Sequence, residues 1–143
     1  MRLASVRVGL VLDKEGGALK QMLTPFKLGF GGPIGAGRQW VSWIHHADLT
    51  GILLHALDNV AARGPINATA PNPVTNREYS KALGRALHRP AFLPTPAFAL
   101  WLVLGQVAQL ATTGQRVLPR QALALGYSFR FPTIDAALAD ILA

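Results

Sequence analysis

The segment Ala4 to Leu12, ASVRVGLVL, carries one charge, at Arg7, in nine residues rich in Val and Leu. A run this apolar and β-branched is a strand covered on both faces, as in a parallel sheet, and it needs neighbours on each edge. Composition agrees with a packed chain. Half of the 143 residues are apolar and 15% are charged, which excludes a disordered segment and allows one domain with a core.

The remaining elements follow from periodicity and punctuation. Gly16 to Leu23 reads as a short helix stopped by Pro25, and Gly29 to Gly37 as a glycine-rich loop leading to an extended Arg38 to Ile44. Asp48 is the expected N-cap of a helix that places Leu49, Ile52, Leu53, Ala56, Leu57 and Val60 on one face, with Gly64-Pro65 closing it. Pro65 to Thr69 fits a short strand, followed by a turn at Ala70 to Pro73. Thr75 and Glu78 have capping-box spacing, and Val74 with Tyr79 forms the hydrophobic staple of a helix that ends before Pro90. Its Arg77, Lys81, Arg85 and Arg89 form a stripe at four-residue spacing, read as a solvated face. Pro96 opens an apolar helix ending near Thr112, whose most membrane-like stretch, Pro96 to Leu104, is nine apolar residues, short of the roughly 20 a membrane span needs. A brief helix follows Pro119 to Leu125 with Gly126 beyond its end. A last helix starts near Thr133 and shows Ile134, Ala137, Leu138, Ile141 and Leu142 on one face.

Fourteen Lys and Arg against seven Asp and Glu give a net charge of +7, but the basic residues are scattered, with no block suited to phosphate tracking. Neither a nucleic-acid nor a membrane partner is expected. The absence of cysteine removes disulfides and thiolate metal sites and fits a reducing cytoplasm. No histidine pair stands at i, i+4, so no metal site is expected. Ser42, His45 and Asp48 hold the residue types of a hydrolytic triad, but three-residue steps at a strand-to-helix junction do not give nucleophile geometry. Gly29, Gly32 and Gly35 have the spacing of a dinucleotide loop. A phosphate-cradling loop opens a helix, however, and a β-type segment follows here, leaving a loop beside a cleft or structural punctuation.

The segments GGALKQMLTPFKLGFGGPIGAGRQWVSWIHHADL, GPINATAPNPVTNREYSKAL and HRPAFLPTPAFALWLVLGQ resemble the epimerase/dehydratase-like branch of the extended short-chain dehydrogenase/reductases, from about Leu3 to Leu142. The resemblance implies an α/β fold, the C-terminal part of an extended Rossmann-type architecture with a few strands and mostly helical substrate-side and C-terminal regions. Residues 1–86 would be the tail of the Rossmann sheet plus the substrate-side cap, and 87–143 the branch's own helical region. The N-terminal half of such proteins holds NAD or NADP and a Tyr-x-x-x-Lys pair. Here Leu83 and Phe131 follow Tyr79 and Tyr127 at the Lys place, so neither catalysis nor cofactor binding is expected of the chain alone.

By the same resemblance, Val11 and Leu12 would touch the nicotinamide end, and Arg7, Gly16, Gly17, Gln39, Trp43 and His45 would lie near a small-molecule substrate. Two departures narrow that substrate. Val41 stands where epimerases carry a phosphate-holding Arg, and Leu10 where an Asn is common, which argues against a nucleotide sugar. Trp40 and Trp43 suggest a flatter, more apolar ligand, or else buried aromatics. The rival readings are a non-catalytic binding module, and a charge-driven nucleic-acid or membrane-surface binder. A strand whose sheet neighbours lie elsewhere also offers an edge for homodimerisation.

Overall fold

The computed structural model describes residues 3–15, 19–20, 23, 26–28, 32–33, 37–89 and 115–142. Strands β1 (Ala4–Val8), β2 (Leu10–Leu12), β3 (Trp40–Val41), β4 (Trp43–His45), β5 (Gly64–Ala68) and β6 (Val74–Thr75) are accompanied, among the described residues, by four continuous helices. These are α1 (His46–Asp58), α2 (Asn76–Leu87), α3 (Arg120–Ala124) and α4 (Ile134–Ile141). The architecture is the expected α/β one, and the apolar helix expected after Pro96 lies outside the described residues.

The opening strand is interrupted at Gly9. β1 runs parallel to β5 in the register Val6↔Ile66 and Val8↔Ala68, while β2 runs parallel to β4 as Leu10↔Trp43 and Leu12↔His45. The hydrogen bonds show a fork. Gly9 N–H still donates to Ala68 of β5, but Leu10 N–H donates to Ser42, and Ala70 N–H donates to the Trp43 carbonyl, so β4 fills the gap where the two strands part. A Cβ on Gly9 would fall on the Ser42 carbonyl oxygen and within 2.7 Å of Thr69 Cγ2, which is why glycine stands at the branch point. Side-chain alternation shifts by one residue there. Ala4 and Val6 pack on the core of Ile44, Ile52 and Ile66, as does Val11, whereas Leu10 and Leu12 join the core of Trp43, Tyr79, Leu83 and Leu138.

The helix signals fare unevenly. Thr75 caps α2 with the full capping box, Thr133 caps α4, and Gly126, at φ +87°, follows the end of α3 as expected. Asp48 is not the N-cap of α1: β4 runs straight into the helix, so His45 holds the extended cap position and its ring accepts the Ala47 N–H, leaving Asp48 buried in the first turn. Nor do Gly64-Pro65 close that helix. Asn59 does, with its amide on the Leu125 carbonyl and its side-chain oxygen on the Ala61 N–H, and Gly64 instead opens β5. The expected apolar face of α1 is split, because Ile52 is buried while Leu53, Leu57 and Val60 are exposed. Helical backbone is found beyond Pro25 too, at Phe26 and Lys27.

Leu3 and Gly9 both bond β5, so the alternate residues Ala4, Val6 and Val8 direct their N–H and C=O groups to the opposite edge of β1. Among the described residues no strand pairs that edge, and Leu3 and Val8 beside it are exposed. Amide exchange of the chain at low concentration should therefore protect Arg7 and Gly9 and leave Val6 and Val8 fast. Protection of Val6 and Val8 that grows with concentration, together with doubled mass by light scattering, would show a second copy pairing with the edge.

Candidate functional site

Two polar constellations stand out against the apolar cores. The first lies where β4 enters α1. His45 is enclosed, its ring stacked on Phe131 at 4.0 Å between centroids, with Nε2 2.8 Å from an Asp140 carboxylate oxygen. With Nδ1 accepting the Ala47 N–H, Nε2 carries the proton donated to Asp140, so both ring nitrogens are engaged. Asp48, fully buried, accepts three hydrogen bonds: from the Tyr127 hydroxyl at 2.7 Å, the Arg130 N–H at 2.9 Å and the Phe131 N–H at 3.0 Å. Its carboxylate ties α1 to the segment between α3 and α4, and Gly51 leaves room for the Tyr127 ring over the helix. Ser42, His45 and Asp48 thus each have separate partners, and no triad forms.

The second constellation is a cavity of about 570 Å³ at the fork, floored by Gly9, Ser42, Asn67 and Thr69 and roofed by residues 115–118. The floor holds the roof. Ser42 Oγ donates to the Gln115 carbonyl at 2.6 Å and accepts the Val117 N–H at 3.0 Å, and the Asn67 amide and Thr69 hydroxyl reach the Leu118 and Val117 carbonyls. Three guanidinium-bearing residues line the space, Arg7 from β1 and Arg116 and Arg120 from the roof and α3, with Arg116 5.3 Å from the centre of the Trp40 ring.

The residues expected from sequence are divided by this geometry. Leu12 and Trp43 share one core with no exposed surface, the Trp43 indole N–H donating to the Asn72 carbonyl, and His45 is paired beside Leu12. Val11 is half-buried in the other core, and Gln39 is half-buried with its carbonyl accepting the Asn76 N–H. Arg7 alone belongs to the cavity; Gly16 and Gly17 lie outside the described residues. Sequence reasoning missed Ser42, Asn67, Thr69, Arg116 and Arg120, although one signal was present: no acidic residue occurs between Glu78 and Asp135, a stretch holding Arg116 and Arg120. Among the described residues no cluster of His, Cys, Asp and Glu has the makings of a metal site, and no helix is long and apolar enough to cross a membrane.

Comparison with known proteins places this geometry. A family model described as a domain of unknown function, DUF1731, matches residues 95–141. The mouse epimerase family protein SDR39U1 is 50% identical over 139 residues, 96% of this chain and 47% of that protein. Epimerase family protein YfhF of Bacillus subtilis is 41% identical over 143 residues, and the chain again spans 47% of its length. The crystal structure of human SDR39U1 with NADPH superposes with a TM-score of 0.92 at 46% identity, covering 99% of this chain and 48% of that one. The chain is similar to the C-terminal half of the epimerase family proteins. It spans about half the length of these relatives. The Thermus thermophilus UDP-glucose 4-epimerase in complex with NAD, at 17% identity and a TM-score of 0.66, shares the Rossmann-type fold.

Removing the Asp48 charge tests the first constellation. Asp48→Asn keeps one acceptor oxygen for three donors and should cost about 1–3 kcal/mol in urea unfolding. The tyrosines give a pH test. Burial, then the hydrogen bond to Asp48 and its charge, push the Tyr127 phenol well above its ordinary range against a smaller opposing effect of Arg130, and burial alone does the same for Tyr79. The unfolded chain loses these protons near pH 10 while the folded chain keeps them, so this stability is full below about pH 10 and declines as pH rises further. Ultraviolet titration should show both phenols ionising only as the fold is lost, and Tyr127→Phe should flatten the decline.

Proposed function

We propose that the chain is the substrate-side half of an NAD(P)-dependent epimerase or oxidoreductase and is not catalytic by itself. What carries the reading is the match of nearly the whole chain to about half of a human protein crystallised with NADPH. On this reading residues 1–86 continue a Rossmann sheet and its cap, and residues 87–143 form the family's own helical region. The open edge of β1 then pairs with a strand of the N-terminal half of such a protein. Val11 and Leu12 back the nicotinamide end, and Arg7, Gln39, Gly16 and Gly17 lie toward the substrate, with Trp43 and His45 shaping the wall from inside. Leu12 has no exposed surface and Val11 little, so these residues border a cofactor held by other parts of the protein. NADP or NAD would supply the hydride chemistry. The substrate is a small molecule and the compartment the cytoplasm; neither nucleic acid nor membrane enters the role.

A second reading is a non-catalytic interaction module that closes the β1 edge on a copy of itself, favoured by the exposure of Leu3 and Val8 beside that edge. Calorimetry separates the cases. The 143-residue chain should bind neither NADP nor NAD at micromolar concentrations, and mixing or fusing it with the N-terminal half of the mouse relative should restore NADPH binding. Micromolar binding of either cofactor by the chain alone, or no gain from the added half, would overturn the substrate-side reading.

A further inference from the structure

The cavity at the fork holds more positive charge than its surroundings balance. All seven acidic residues of the chain are among the described ones, and none lines it. Asp48 is engaged with Tyr127 and two backbone amides, Asp135 with Arg85, Asp140 with His45, and Glu78 with the cap of α2. Neither ion pair among the described residues uses Arg7, Arg116 or Arg120. Like charges gathered round one space repel, and a planar guanidinium presents donors matched to oxyanions. The neutral polar groups are committed otherwise. Ser42, Asn67 and Thr69 bind the roof, so that among the described residues the arginines, with the Gln115 amide, are the donors left to the wall. The roof is also anchored, by those bonds and by the Arg116 contact with Trp40, so the donors are placed before any ligand arrives.

We propose that this cavity binds a compact phosphate-bearing metabolite, its oxyanion held among Arg7, Arg116 and Arg120. A volume of about 570 Å³ takes more than an inorganic ion, falling within the roughly 300–1,000 Å³ of small-molecule sites, so the phosphate carries an organic body. The assignment deepens the substrate-side reading through Arg7 and otherwise rests on this chain's own residues. The two fail separately: cofactor binding by the chain alone would sink that reading and leave the cavity untouched.

The probe is inorganic pyrophosphate, titrated into the isotope-labelled chain and followed by amide shifts. Saturable shifts should centre on Gly9, Asn67, Thr69, Val117 and Arg120. Arg116→Gln and Arg120→Gln should each weaken binding about tenfold or more, the loss expected for a charge-assisted hydrogen bond. Lys81→Gln, on the solvated stripe of α2, should leave it unchanged. Because Arg116 also packs on Trp40, the Arg120 variant serves as the measure if the Arg116 variant loses its native spectrum. No saturable binding, shifts centred on the α2 stripe, or equal weakening by Lys81→Gln would each overturn the proposal.

Discussion

The structure depends on the parting of two parallel strands at a single glycine. β1 and β5 keep register as far as Val8 and Ala68, and at Gly9 and Thr69 they diverge far enough for β4 to enter and bond to both continuations. Trp43 and Ile44, adjacent on that wedge, are each fully buried in different cores. Burying side chains of this size contributes about 1.5–3 kcal/mol or more apiece, so a wedge of three residues anchors both cores at once. A side chain at position 9 would occupy the space of the Ser42 carbonyl, and the fork would not close.

Signals written in neighbouring residues were legible. The Thr75–Glu78 box, the Thr133 cap, the face of α4 and the glycine after α3 all depend on contacts within a turn or two of the helix, and all are found. What depends on distant residues was not. Asp48 has the chemistry of a cap, yet its carboxylate meets donors about eighty residues further along, at Tyr127, Arg130 and Phe131, and the cap passes to His45. The break at Gly9 is likewise not dictated by its neighbours in the run Ala4 to Leu12, because the residue that forbids a side chain there is Ser42.

The site divides the same way. Arg7 was expected from the family resemblance, whereas Arg116 and Arg120 reach the same cavity only because Ser42, Asn67 and Thr69 fasten the roof to the sheet. Trp43 and His45, expected near a substrate, pair with β2 and are buried. Aromatic content identifies residues that bury well; it does not say whether a ligand or a core covers them.

Two kinds of incompleteness coexist in the chain, and they differ physically. Among the described residues no strand pairs the outer β1 edge and apolar side chains are exposed beside it, a demand that another strand would satisfy. The fork cavity presents cationic groups, a demand satisfied by an anion small enough to enter. Protein covering the first does not neutralise the second unless it also inserts an acid. Arg7 belongs to the strand that owns that edge and also lines the cavity, so pairing the edge would stiffen the strand that supplies one of the three arginines. Completing the sheet and holding the ligand are therefore coupled through β1, with Gly9 as the point where the strand passes from one task to the other.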